Sequence, residues 1–371
     1  MTITREQVLE VLDKVQETEL QRSLVQLGMI KEVTETSAGR LSIAIELPAP
    51  AGPHRDVLAE QVNRALAGLG AREVDITWSS NIRGRDVEPD DPAPEVSNIV
   101  IVMSGKGGVG KSTIAVNLAL ALRRAGARVG LLDADIYGPS IPTMMGTAER
   151  PGSADGKSLE PVERLGVKMM SIGFLIEDPR EAIVWRGPML HSALLQFLKD
   201  VRWGKLDYLV LDLPPGTGDV PLTLSQKVKL TGAVMVTTPQ EVALQDVYKA
   251  VSMCQKVQIP ILGVVENESY FVCDGCQARH EIFGAGGGMR VAELAAAPLI
   301  GQIPIDKACR AAGDGGTPVV AASPDSPSGK ALIALADKLA WRIARHHADR
   351  GATVISIDRS GGQQKHLPVI R

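Results

Sequence analysis

The chain has 371 residues, 44% of them apolar, and a formal charge of −3. This length allows two or three domains with a sizeable core, and the near balance of charge without a long basic run gives no support to nucleic acid as a main ligand. No apolar run approaches the roughly 20 residues of a membrane helix and the first residues lack a signal-peptide pattern, so a cytoplasmic protein with no membrane partner is expected.

Residues 1–85 read as a small α+β domain. Thr4 can cap a helix from Arg5, with Val8, Leu9, Leu12 and Val15 at helical spacing. LGMIKEV (27–33) and the alternating LSIAIEL (41–47) predict two strands around a turn at Ser37-Ala38-Gly39. A second helix over about Arg55 to Leu69 leads to a strand from Glu73 to Trp78. This order, with the phrase SLVQLGMIKEV, resembles the small domain of MIP18-like iron–sulfur assembly factors. Such domains often carry a cysteine in the loop after the second strand. Here that loop is Pro48-Ala49-Pro50-Ala51-Gly52-Pro53, so a docking or structural role is expected rather than a metal site.

Residues 86–97 are rich in Pro and Asp and predict an exposed linker. From 98 to 348 the chain alternates apolar strands with stretches able to form helices. The apolar cores are Ile99–Met103, Val129–Leu132, Tyr208–Leu211, Ala233–Val236, Ile261–Val265 and Leu299–Ile303. Repeated βα units predict an α/β fold, a mostly parallel sheet with helices on both faces and ligands at the carboxyl ends of its strands.

The first of these strands runs into Gly105-Lys106-Gly107-Gly108-Val109-Gly110-Lys111-Ser112, which meets the phosphate-loop pattern G-x-x-x-x-G-K-S at every fixed position. Glycines let the backbone fold tightly and aim its N–H groups at phosphate oxygens. Lys111 is expected to reach the β- and γ-phosphates and the Ser112 hydroxyl to ligate Mg²⁺. The helix from Thr113 to Leu122 would favour the anion through its N-terminal dipole, with Gly126 as its stop. The second lysine, Lys106, makes the motif resemble the deviant phosphate loop of the dimeric ATPases that include nitrogenase iron proteins, MinD and ParA. That resemblance implies ATP bound from Gly105 through Thr113, a homodimer, and Lys106 reaching the partner's nucleotide.

Later motifs follow the same strand-then-loop order. Leu131-Leu132-Asp133-Ala134-Asp135 ends a strand with two carboxylates on one side of an extended chain. In the resembled class the position of Asp135 activates the attacking water, and the loop 136–146 acts as a switch. Tyr208–Asp212 has the form of a Walker B strand, whose carboxylate holds Mg²⁺ through a water. It continues into Leu213-Pro214-Pro215-Gly216-Thr217-Gly218-Asp219, where Gly216 is the expected γ-phosphate sensor. Asn267, after ILGVVE, matches the family position that hydrogen-bonds adenine, and Gly301-Gln302-Ile303-Pro304 matches a second base-side segment.

Cys273 and Cys276 form a C-x-x-C turn, which puts two thiolates within reach of one metal centre. Three chemistries use such a pair: a redox dithiol, a zinc site with His280 as a third ligand, or a 4Fe–4S cluster shared by two pairs across a two-fold axis. Cys254 and Cys309 lack partner spacing and read as small buried hydrophobes. Together, GKGGVGKS, LDADIYGPSIP, LDLPPGTGD, the Asn267 segment and YFVCxxC resemble the Mrp (ApbC-like) iron–sulfur cluster carriers over nearly the whole chain. The resemblance implies an ATPase that binds a 4Fe–4S cluster at its dimer interface, receives it from a cluster donor and passes it to apo iron–sulfur proteins. A positioning ATPase of the MinD or ParA kind is the alternative.

The glycine patch 283–288 would allow close backbone approach to a cluster or partner, or form a surface loop. A helix over 328–347 carries Leu332, Leu335, Leu339 and Ile343 on one face, a pattern suited to internal packing and similar to MinD's membrane-targeting helix. The tail 349–371 reads as either a short strand, Val354–Ile357, or a mobile segment.

Overall fold

A computed structural model describes residues 3–37, 39–135, 138–153, 155–175 and 187–352. The chain opens with α1 (Arg5–Leu12), started by a capping box between Thr4 and Gln7 that satisfies two otherwise unpaired N–H groups. Two-residue strands β1 (Gln16–Glu17) and β2 (Arg22–Ser23) follow. A separate three-stranded sheet comes next, formed by β3 (Ile30–Ser37), β4 (Arg40–Leu47) and, after α2 (His54–Ala67), β5 (Glu73–Ser80). β3 pairs antiparallel with β4, and β4 pairs parallel with β5, as a helical crossover requires. The alternation read from LSIAIEL is real: Leu41, Ile43, Ile45 and Leu47 are all buried. Ala38, in the expected turn, lies outside the described residues.

Residues 86–97 differ from the exposed linker expected of them. Residues 86–90 are mostly exposed, but the Asp91 carboxylate pairs with the buried Arg85 guanidinium, which also donates to Ala93 O at 2.7 Å. The next strand already begins at Val96. Pro and Asp composition reports the lack of repeating backbone structure and misses one local buried ion pair, Arg85 with Asp91, that fastens it.

The larger body contains β6 (Val96–Ser104), α3 (Lys111–Arg124), β7 (Val129–Asp133), α4 (Ile141–Met144), β8 (Val162–Arg164), β9 (Val167–Ser171) and α5 (Gly187–Asp200). β10 (Leu206–Asp212), α6 (Asp219–Lys227), β11 (Gly232–Thr237), α7 (Glu241–Lys256) and β12 (Ile261–Glu266) follow. The chain then forms a small hairpin of β13 (Phe271–Val272) and β14 (Arg279–His280), and α8 (Gly287–Ala295) and β15 (Leu299–Gln302) come next. Helices α9 (Lys307–Asp314), α10 (Val319–Ala322) and α11 (Pro327–Ala352) complete the described chain.

Eight strands form one sheet in the order β15-β12-β11-β6-β10-β7-β9-β8, parallel except for the β8–β9 pair. From β6 the chain first builds outward through β7, returns through β10, and then builds the other way through β11, β12 and β15. The carboxyl end of β6 therefore lies at the reversal of strand order, where open α/β sheets bind ligands. Strands β6, β7, β10 and β11 are buried almost throughout, which is why they read as continuous apolar runs. α3 ends in a Schellman arrangement, with Gly126 at φ 98° and Ala127 N–H donating to Leu122 O. The apolar face of α11 is internal: Leu332, Leu335, Leu339 and Ile343 are buried, and the helix packs on α3 and β15. No helix among the described residues is long and apolar enough to cross a membrane.

Candidate functional site

The phosphate loop links β6 to α3, and its glycines serve different ends. Gly108 and Gly110 hold φ of 82° and 81°, which a side chain disfavours. Gly105 has ordinary dihedrals but no room: a Cβ there would lie 2.1 Å from the Asp246–Val247 peptide of α7. Lys106 is exposed on the rim, and Ser104 Oγ donates to its carbonyl at 2.9 Å. α3 starts with no side-chain cap and no acidic residue in its first turn, so its N–H groups are left for an anion.

At the base of this cradle sits a buried ionic cluster. Lys111 Nζ lies 2.6 Å from Asp212 Oδ1 and 3.3 Å from Asp135 Oδ2. β10 lies between β6 and β7, so the register sets Asp212 directly beside Asp133. Burial, followed by the charge of Asp212, pushes the Asp133 carboxyl up to about 7. Burial also raises Asp212, against the pull of Lys111. Asp212 Oδ2 is buried without a hydrogen-bond partner; the Ser112 hydroxyl favours its charged form without making a bond of good geometry. This orphaned oxygen and a neighbouring hydroxyl are the hard donors a hydrated Mg²⁺ takes.

Asp133 has a role that its sequence position leaves open. Its Oδ1 accepts from Asp135 N at 3.1 Å, and its Oδ2 accepts from Ile141 N at 3.3 Å and Ser171 Oγ at 2.9 Å. One buried carboxylate thus fixes Asp135, just before the expected switch, and the start of α4 within it; Ile136 and Tyr137 of that loop lie outside the described residues. Ser171, on β9, escaped the sequence reading because the short strands β8 and β9 interleave charged residues and carry no long apolar run.

Gly216 has φ 94°, with open space where a Cβ would stand. Its N–H donates to Ser104 O at 2.9 Å, so the expected γ-phosphate sensor is tied to the end of the phosphate-loop strand. Asn267 donates from Nδ2 to Val109 O at 2.9 Å, so the expected base-side residue also holds the phosphate loop. A Cβ on Gly110 would lie 2.2 Å from that same nitrogen.

Six residues beyond Asn267, Cys273 and Cys276 cap the β13–β14 hairpin. Cys273 is partly exposed and Cys276 exposed. The backbone N–H groups of Cys276 and Gly275, with the Cys276 side chain, hold the Cys273 thiol below the usual thiol range. Lys307 pairs with Asp274 at 2.9 Å, and Ile305 N–H donates to Tyr270 O at 2.7 Å, which anchors the hairpin to the chain after β15. Among the described residues no group of three or more His, Cys, Asp or Glu side chains is placed to hold a metal ion, so one subunit offers this pair without further such ligands. Cys254 is buried, and burial pushes the thiols of Cys254 and Cys309 up to about 11. Of the glycine patch, Gly287 and Gly288 are packed tightly, against Pro239 and Glu266. No motif in the sequence singles out Glu266; its one signal is a carboxylate ending an apolar strand.

A family model described as NUBPL iron-transfer P-loop NTPase matches residues 95–340, and one described as iron–sulfur cluster assembly protein matches residues 5–78. The iron–sulfur cluster carrier protein of Synechocystis is 45% identical over 349 residues, covering 92% of this chain and 98% of its own. That of Deinococcus radiodurans is 47% identical over 340 residues, covering 91% and 95%. Among solved structures, a nucleotide-binding protein from Archaeoglobus fulgidus in complex with ADP is 43% identical, with a TM-score of 0.53 over 60% of this chain and 87% of that one.

Proposed function

This chain belongs to the iron-transfer P-loop NTPases whose curated relatives are iron–sulfur cluster carrier proteins, and from that premise we propose how it carries its cargo: two subunits hold one 4Fe–4S cluster between their Cys273–Cys276 pairs, and ATP governs its release to apoproteins. The observation that carries this reading is the exposed hairpin. It presents two thiols, one already biased toward thiolate, on a subunit with no third ligand beside them among the described residues. A cubane cluster takes four thiolates, and a two-fold axis through the hairpins supplies them.

The nucleotide side follows from bonds that must be exchanged. Lys111 leaves Asp212 and Asp135 for the β- and γ-phosphate oxygens, drawn by the greater charge there. Ser112 and Asp212 are the residues that would hold a Mg²⁺, which when bound would supply neutralisation of the charge on the phosphates. Asp135, released from Lys111 and still fixed by Asp133, orients the attacking water and accepts its proton. The Gly216 N–H exchanges Ser104 O for a γ-phosphate oxygen, moving the loop after β10. Lys106 extends to the nucleotide of the partner subunit, so ATP draws the two subunits together and hydrolysis lets them part. The change in their spacing alters the fit of four thiolates to one cluster.

Anaerobic reconstitution with iron and sulfide tests this reading. About four irons and four sulfides per dimer are expected for the wild type, lost in Cys273→Ala/Cys276→Ala. Lys111→Ala should still take up iron but lose the nucleotide dependence of delivery to an apoprotein. Zinc alone, or iron retained without these cysteines, would overturn the proposal. Nucleotide-dependent sedimentation with lipid or DNA would then test the positioning alternative.

A further inference from the structure

Glu266 ends β12 only 1% exposed and is not part of the nucleotide chemistry described above. Its carboxylate collects three donors from three separate segments. Oε2 accepts from Gly288 N at 2.5 Å, at the N-terminus of α8. Oε1 accepts from Ser269 Oγ at 2.5 Å and Gln302 Nε2 at 2.9 Å, and Gln302 Nε2 also reaches Ser269 Oγ at 3.1 Å. The packing around it is tight: a Cβ on Gly288 would lie 2.7 Å from Glu266 Cβ, so glycine is needed there for α8 to sit on the strand end.

On one side of this carboxylate stands Asn267, bound through Nδ2 to Val109 O in the phosphate loop and through its N–H to Thr237 O of β11. From Asn267 the chain runs on through Ser269, whose hydroxyl Glu266 holds, to the cysteines. Ser269 N–H donates to Ile303 O, Ile303 N–H returns to Glu266 O, and the Tyr270–Ile305 bond carries the pairing to the hairpin. Every link between the phosphate loop and Cys273 is thus a short hydrogen-bonded segment, and the Glu266 carboxylate grips that segment at Ser269, between Asn267 and the hairpin.

We infer that Glu266 is a positioning residue that couples the phosphate loop to the cysteine hairpin, so that a shift of Asn267 with the loop is transmitted to Cys273 and Cys276 rather than absorbed between them. This deepens the carrier reading and rests on it. The carboxylate suits the task because its two oxygens accept from three donors at once, so the buried network can rearrange only as a unit. A contiguous network alone does not establish coupling, so the test must read coupling directly.

The measurement is the alkylation rate of Cys273 and Cys276 in the full-length, cluster-free protein, with and without saturating ATP and Mg²⁺. Wild type should change by about fivefold or more. Glu266→Gln keeps the shape but replaces one accepting oxygen with a donor, and the ratio should collapse toward one while a fluorescent ATP analogue still binds. Should Glu266→Gln fail to fold, Ser269→Ala/Gln302→Ala removes both donors on Oε1 and should lower the ratio in the same way. A merely structural role would lower the melting temperature and leave the ratio unchanged. A full wild-type ratio in either folded variant overturns the inference and leaves the carrier reading intact. Absence of any nucleotide effect in wild type, by contrast, sinks the ATP-governed carrier reading together with the inference.

Discussion

Asp133 and Asp212 face one another on adjacent strands in register, and neither is solvated. Burial first, and then the charge of Asp212, put the Asp133 pKa at about 7, against the opposing pull of Ser171, the Asp135 N–H and Lys111. In the unfolded chain the group titrates at about 4. Between these values the folded state holds a proton that the unfolded state has released, so this residue's contribution to stability falls as pH rises from about 4 to about 7 and is flat beyond. Asp133→Asn removes the titration. In nucleotide-free protein, the melting temperature of the variant relative to wild type should therefore climb across that window, as followed by circular dichroism. A constant offset would mean that Asp133 is ionised throughout and that its three donors outweigh its burial.

The strand ends and the turns leaving them carry the site, and they were legible to different depths. Gly108 and Gly110 have nearly the same left-handed dihedrals, which cost a side chain about 1–2 kcal/mol. Only Gly110 also faces Asn267; a Cβ on Gly108 meets open space. Gly110→Ala should therefore lower nucleotide-free stability beyond Gly108→Ala by roughly 1–3 kcal/mol, and the excess should vanish in an Asn267→Ala background. Equal losses in both backgrounds would show that Asn267 can move aside freely. The phosphate loop, the strands and the cysteine turn were readable because each is encoded within about fifteen contiguous residues by period, glycine spacing or paired thiols. What stayed hidden depends mainly on partners far along the chain: Asp133 on Ser171, Asn267 on Val109, and Glu266 on Gly288 and Gln302. Sequence reports which strands exist; pairing across the sheet decides which carboxylate becomes a scaffold and which meets the nucleotide.

Across the whole molecule, the small N-terminal sheet is fastened to the nucleotide-binding body through His54, the first residue of α2. His54 Nε2 lies 2.5 Å from Glu17 Oε1, whose side chain is fully buried, and its ring centroid stands 4.4 Å from that of Trp341 on α11. The His54 N–H donates to Asp337 Oδ2 at 3.0 Å, and Arg345 reaches Glu19 O from the same helix. Burial, the largest single influence, pulls the imidazole pKa down, but Glu17, Asp337 and Glu19 together outweigh it and leave it raised. A raised histidine contributes its full stabilisation below its unfolded pKa of about 6.5 and loses it as pH rises through the folded value. The N-terminal body around the His54–Glu17 pair, and with it the charge contact of His54 to Asp337 on α11, should therefore weaken from mildly acidic to alkaline pH. His54→Ala leaves Glu17 buried without its cation and should cost roughly 3 kcal/mol at pH 6 and distinctly less at pH 9, by paired denaturant titrations. Hydrogen exchange at residues 50–56 should rise with pH in wild type and be fast at both pH values in the variant, after correction for intrinsic rates. Exchange that ignores pH in wild type would locate the attachment in apolar packing around Trp341 and Leu339 instead, with the His54 charge serving only the N-terminal body.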